Sequence, residues 1–271
     1  MGVIPAIKGF QDASVNVDVH ILHPGLLLDR YADYLTSRFD DFNQERGQKP
    51  HILRVIKANT ACKVAHEPFL ARWKAFYDAL PVEHKREWTQ ACIWRLAAHL
   101  SRASTLENGA ICLHPIYGFV YLPGSGMKGL ARSWAHQTEQ PKSEIIRILG
   151  SFDFRDNEEE MKIEPGDAAG SVVFLDAWPS TWPILECDIV NNHHKDYYAN
   201  QGVNSPPGDW ESPNPTYFLA VKPGTVFRFA VVARDRNTSK EDVETAASWL
   251  KSGLEELGAG AKTAAGYGYF S

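Results

Sequence analysis

Hydrophobic and polar positions along the chain follow two periods, and the mixture changes near residue 110. In 24–37, "PGLLLDRYADYLTS", Leu27, Tyr31, Tyr34 and Leu35 fall at helical spacing, with Pro24 suited to a first helical turn. Residues 67–100 predict helix on both sides of Pro81: Phe69, Trp73, Phe76 and Tyr77 share one face before it, and Trp88, Cys92, Leu96 and Leu100 continue the spacing after it. The alternating run "VNVDVHI" (15–21) and the segment 51–56 predict strands within an otherwise helical first part.

Beyond residue 110 short apolar runs alternate with turns. "YGFVYL" (117–122) predicts a strand, 123–126 a loop, and "MKGLARSWAHQ" a helix carrying Leu130 and Trp134, with a further turn at Ile145–Leu149. The acidic stretch 153–170 predicts a solvated loop, "SVVFLDAW" (171–178) a strand and "ILECDIV" (184–190) another. Residues 191–215 are rich in Pro, Asn, Gly and His and predict a loop longer than ordinary connectors, which marks it as functional or held by a partner. "TYFLAV" and "TVFRFAVVAR" predict strands, the second with Phe227, Phe229 and Val231 on one side. Residues 239–257 predict a helix opened by Ser239 with Asp242, lined by Val243, Ala246, Ala247, Leu250 and Leu254, and ended by Gly258. "YGYF" closes as a strand.

Read in order, 117–271 is a β-α-β-β-α-β succession, the ferredoxin-like pattern whose sheet face is a common RNA platform. The expectation is an α+β chain of one domain over 1–271, its 1–116 part mainly helical, with an insertion at 184–222.

Composition narrows the function classes. At 271 residues with 44% hydrophobic residues the chain can bury a real core. With 28 Lys and Arg against 33 Asp and Glu, the net charge is −5. A lone nucleic-acid coat would be basic, so any such binding needs a local patch or a helping partner. Cys62, Cys92, Cys112 and Cys187 make no C-x-x-C pair and read as free thiols of a reducing compartment; Cys62 with His66, and Cys187 with His193 and His194, lack zinc-site spacing. No metal and no cofactor is expected. "MGVIPAIKGF" has neither a leader nor a myristoylation pattern, and no apolar run spans a bilayer, so no membrane association and a cytoplasmic location are expected.

Two loops combine glycine with lysine: "YLPGSGMKGLARSW" (121–134) and "ELGAGAKTAAGYGYF" (256–270). Neither is a nucleotide-binding P-loop. Lys128 stands between Met127 and Gly129, and Lys262 follows Ala261 with Glu256 where a glycine is required. An anion still suits both. Gly124 and Gly126 permit a tight turn and close approach, the following helix aims its N-terminus at the same spot, and Lys128 and Arg132 share a face one turn apart. Gly258, Gly260, Lys262 and Thr263 offer amides, a charge and a hydroxyl. The same glycines also serve as turns that hold nothing.

These two segments resemble the strand–loop–helix motif and the C-terminal glycine-rich loop of RAMP proteins, the repeat-associated subunits of CRISPR effector complexes. "HPGLLLDRY" (23–31), "GSVVFLDAWP" (170–179) and "LECDIVNNHHKDYY" (185–198) are similar to a narrower group, the sixth subunit of type III-B (Cmr) complexes. The resemblance implies an RRM-like fold. It also implies a non-catalytic subunit that holds CRISPR RNA near its 3′ end and caps a filament of related subunits. Its implied partners are CRISPR RNA, target RNA in the assembled complex, other RAMP subunits and the small helical subunit. It places Ser125, Gly126, Lys128, Arg132, Gly260, Lys262 and Thr263 near RNA phosphates. It departs at Gly126, where the family loop often carries a second serine.

The alternative is a RAMP endoribonuclease. Its obvious acids are Asp29, which precedes Arg30 as a surface ion pair would, and Asp176, which ends a strand as a turn-capping residue would. His20, His23, His193 and His194 have no sequence partner that would make them a general base.

Overall fold

The computed structural model describes residues 23–29, 48–100, 111–151, 169–194, 197–198, 206–208 and 210–271. The strand expected at 15–21 lies outside them, as do His20, Arg30, Tyr31 and most of the acidic stretch after 153. The chain divides into two compact units.

The first unit takes 1–66, 99–120 and 184–221. It holds α1 (Pro24–Asp29), α2 (Gln48–Ala61) and an antiparallel ladder of β4 (Leu185–Asn192) with β5 (Asn214–Val221), which runs from Leu185↔Val221 to Asn192↔Asn214. The strand expected at 51–56 is instead the middle of α2. Ile52, Val55 and Ala58 recur every three residues and are buried against α1 and the ladder, so helical spacing outweighs the β-branched composition. Gly118 adopts φ +71, which favours glycine, and a Cβ there would also strike Pro24 and Cys62; its carbonyl accepts from Asn59 Nδ2 at 2.8 Å.

The second unit takes 67–98, 121–183 and 222–271. Its elements are α3 (His66–Asp78), β1 (Lys85–Ala91), α4 (Gly124–Gln137), α5 (Lys142–Leu149), β2 (Val172–Phe174), β3 (Trp178–Pro179), β6 (Val226–Ala233) and α6 (Lys240–Glu256). β6 is the hub: β1 pairs along one edge, and β2 and β3 pair successively along the other, all antiparallel. Residues 269–271 lie beside the end of β1, with Ala91 and Ser271 exchanging hydrogen bonds of 2.9 and 3.0 Å.

The expected β-α-β-β-α-β succession is altered at both ends: its first strand is β1, in a stretch expected to be helical, and the closing "YGYF" segment makes an isolated bridge, Cys92↔Phe270, rather than a strand. Trp88, Cys92 and Leu96 imitate a helical stripe. In the strand, alternate residues face opposite layers. Arg86 and Gln90 reach Glu244 and Glu255 of α6, whereas Glu87 pairs with Arg228 and Lys85 donates to the Tyr77 carbonyl at 2.7 Å. Residues 117–122 form only isolated bridges, Leu113↔Val120 and Leu122↔Ala177.

Phe227, Phe229 and Phe270 meet edge to face or tilted, with centroids 5.5–6.5 Å apart, under α6. α4 packs on α6, where Gly253 admits Leu130. The opposite sheet face, the expected RNA platform, is covered. Tyr77 packs on Ala230 and Val232 with Trp73, Leu80 and Leu175, and Phe69 meets Trp178 at 4.7 Å. A buried apolar face cannot stack bases, so any RNA contact of this unit lies elsewhere.

Candidate functional site

The N-terminus of α4 is assembled by residues from β2 and the turn after it. The helix begins at Gly124, earlier than expected, so Gly124 and Gly126 form its first turn rather than a loop, and neither has positive φ. Pro123, extended at φ −60, precedes the helix, and its carbonyl accepts from Gly126 and Met127 at 2.9 and 3.1 Å. The Gly124 amide donates to Asp176 Oδ1 at 2.7 Å. Gly124 is buried, and a Cβ there would lie 2.1 Å from the Phe174 carbonyl oxygen. Its role is helix–strand contact.

Gly124, Ser125 and Lys128 line a groove that also contains Gly170, Val172–Phe174 and Arg234, and Gly126 lies outside it. A Cβ on Gly126 would meet nothing within 4 Å. Burial, together with the charges of Arg132 and Arg234, pulls the Lys128 ammonium below its ordinary range. The groove adjoins a second, lined by Arg147, Ser171, Arg234, Asn237 and Asp242, through shared residues Ala169, Gly170 and Arg234. There Asp242 pairs with Arg147 and accepts from Ser171 Oγ at 2.7 Å.

Arg132 does not join Lys128 at the surface. It is 9% exposed, and its guanidinium donates to the carbonyls of Leu149 and Gly150 at 2.8 and 3.0 Å. It closes the C-terminus of α5, where carbonyls are left without helical donors. Helical spacing put Arg132 on the same face as Lys128, but the packing of α5 against that face directs it inward. Arg234, missed from sequence, takes the second cationic position. The only sequence signal was its place at the end of the β6 run.

The C-terminal loop is tied down by its own backbone. Gly258 (φ +75) is buried at the end of α6 and donates to the Gly253 carbonyl at 3.1 Å. Ala261 donates to Ala97 at 2.7 Å, and Gly268 to Arg95 at 2.8 Å. Gly260 (φ +89) is exposed, yet a Cβ there would lie 2.6 Å from the Ala97 carbonyl oxygen. Its conformation and its neighbour both demand glycine, so a branched side chain at Gly260 would disturb the fold as well as the surface. Lys262 is left-handed at φ 61, and with Thr263 it is half-buried. Of the nine expected RNA contacts, Gly124, Arg132 and Gly258 are interior parts of the fold. Ser125, Gly126, Lys128, Gly260, Lys262 and Thr263 reach the surface.

The remaining chemistry is sparse. Among the described residues no group of three or more His, Cys, Asp and Glu could hold a metal, and no helix is long and apolar enough to cross a membrane. His23 Nδ1 accepts from the Gly25 amide at 3.1 Å, and His194 lies 3.6 Å from Glu211. Burial raises the thiols of Cys62 and Cys187 and pushes Cys92 up to about 12.

The described fold is shared with a chain of the type III-B Cmr-beta complex bound to cognate target RNA, solved by cryo-EM: TM-score 0.54, 16% identity, 91% of this chain and 84% of that one. A crystal structure of Cmr6 from Pyrococcus furiosus aligns over 69% of this chain and 97% of that one with TM-score 0.39 and 27% identity. In sequence, the CRISPR system Cmr subunit Cmr6 of Pyrococcus furiosus is 47% identical over 222 residues, 64% of each chain. The chain thus spans somewhat less than two thirds of that relative. The profile of the RAMP superfamily matches residues 104–271, which include both glycine loops and the strands and helices that carry them; the chain belongs to the RAMP superfamily.

Proposed function

We propose that this protein is a non-catalytic, cytoplasmic RNA-binding subunit of a type III-B (Cmr) CRISPR effector complex, capping its backbone filament near the 3′ end of the CRISPR RNA. The sequence likeness to Cmr6 supports the choice of complex. The observation that carries RNA binding is the groove at the start of α4. Lys128 and Arg234 share it, and their charges disfavour each other. Two cations held at a helix N-terminus are complementary to a phosphate, which would offset their mutual repulsion. Asp176, the acid a nuclease reading would use, is engaged with the Gly124 amide. The net charge of −5 suits a subunit that shares its RNA with neighbours better than a lone binder. Those neighbours are other RAMP subunits and the small helical subunit.

The test is RNA binding by the purified chain across a salt series. Lys128→Ala and Arg234→Ala should each weaken binding of all sequences alike, because phosphates carry no base information. Each should lower the log–log salt slope by about 0.7. The wild-type chain should leave RNA intact with magnesium or manganese. Unchanged affinity and slope in both variants removes the groove from the RNA site. Metal-dependent cutting that Asp176→Asn abolishes overturns the non-catalytic reading.

A further inference from the structure

We infer that Trp94, with Arg95, is a stacking platform for an unpaired RNA base beside the C-terminal glycine loop; this rests on the RNA-binding reading above. Three observations converge on it.

Large apolar side chains in this unit are mostly buried, yet Ile93 and Trp94 are 57% and 47% exposed just where β1 ends. The strand's ladder with β6 stops at Ala91, so the chain is free to turn these side chains outward. The Arg95 guanidinium sits 5.0 Å from the centre of the Trp94 ring. An indole flanked by a guanidinium presents an apolar face and a positive charge together. A nucleotide, with its flat base and anionic phosphate, matches both.

The place is also rigid. Ile93 donates to the Tyr269 carbonyl at 2.9 Å, Arg95 O accepts from Gly268, and Ala97 O accepts from Ala261. Residues 93–97 are thus stitched along the loop that carries Gly260, Lys262 and Thr263. RNA held by that loop passes within reach of Trp94. A protein partner would also bury an exposed tryptophan, but the adjoining cation and the glycine loop favour nucleic acid.

Stacking is read separately from phosphate contact by removing bases and keeping charge. The probes are fluorescent single-stranded RNA about 15 nucleotides long and an equally long strand of abasic ribose phosphates, each bound to the full chain. Trp94→Ala should weaken binding of the ordinary RNA roughly 5- to 150-fold. It should leave the abasic strand unchanged, and Trp94→Phe should retain most of the affinity. Circular dichroism of Trp94→Ala should match the wild type, since the side chain is exposed. Equal affinity of Trp94→Ala and wild type for ordinary RNA overturns the platform while RNA binding stands. Equal loss on both probes also overturns it, by assigning Trp94 to the backbone track or the fold. Normal RNA binding with loss of co-purifying subunits makes the patch a protein interface and overturns it too. A wild-type chain that binds neither probe overturns this inference and the RNA-binding reading together.

Discussion

The Asp176 carboxylate receives the Gly124 amide at 2.7 Å, so the turn after β2 supplies the cap that α4 lacks locally. An anion at this end also complements the helix dipole. Asp176→Ala should cost about 1–3 kcal/mol, and Asp176→Asn, which keeps an acceptor, less. Urea unfolding checks this: the midpoint should fall with the slope unchanged.

Gly124 and Gly126 should answer substitution in opposite ways. Gly124→Ala forces a Cβ to within 2.1 Å of the Phe174 oxygen, so α4 must move off β2 and the fold should be badly destabilised. Gly126→Ala meets nothing and should stabilise the helix by about 1 kcal/mol. If RNA backbone approaches Gly126, the same change should weaken RNA binding. Thermal melts and binding titrations of the two variants separate these effects.

Gly260 and Gly266 have the same φ of +89 but different surroundings. At Gly266 a Cβ meets open space, so alanine should cost only the left-handed strain, about 1–2 kcal/mol. At Gly260 the Ala97 carbonyl adds a clash, and the loss should be larger. Equal melting temperatures for the two alanine variants would remove the contact with Ala97 as a cause.

Cys92 is 1% exposed, and burial pushes its thiol up to about 12 from 9.0. The unfolded chain releases this proton first. The stability linked to it is therefore present in full below pH 9 and lost as pH rises from there towards about 12. Cys92→Ala, though less stable at neutral pH, should lose less over the same alkaline range. Parallel pH dependence in variant and wild type would count against the thiol as the source.

The sequence by itself determined the elements whose signals are local. α6 was legible because Ser239 accepts from the Asp242 amide at 3.1 Å, and Val243, Ala246, Leu250 and Leu254 face inward as their spacing required. β6 was legible from the alternation of Phe227, Phe229 and Val231. The family and its two loops were legible because the glycines and lysines that make them are contiguous in the chain.

Only the tertiary structure decided what depends on distant partners. β1 exists because β6, far along the chain, offers it a seven-residue ladder, and its Lys85, Arg86, Glu87 and Gln90 find charges and carbonyls on α3, β6 and α6. No local pattern announces such pairing. Lys128 was legible as a cation at a helix start, but Arg132 turned inward because α5 ends beneath it with carbonyls to satisfy. Arg234 came to the groove because β6 ends there. Helical spacing says which side chains share a face; packing decides which of them see solvent, and only those can meet an RNA phosphate.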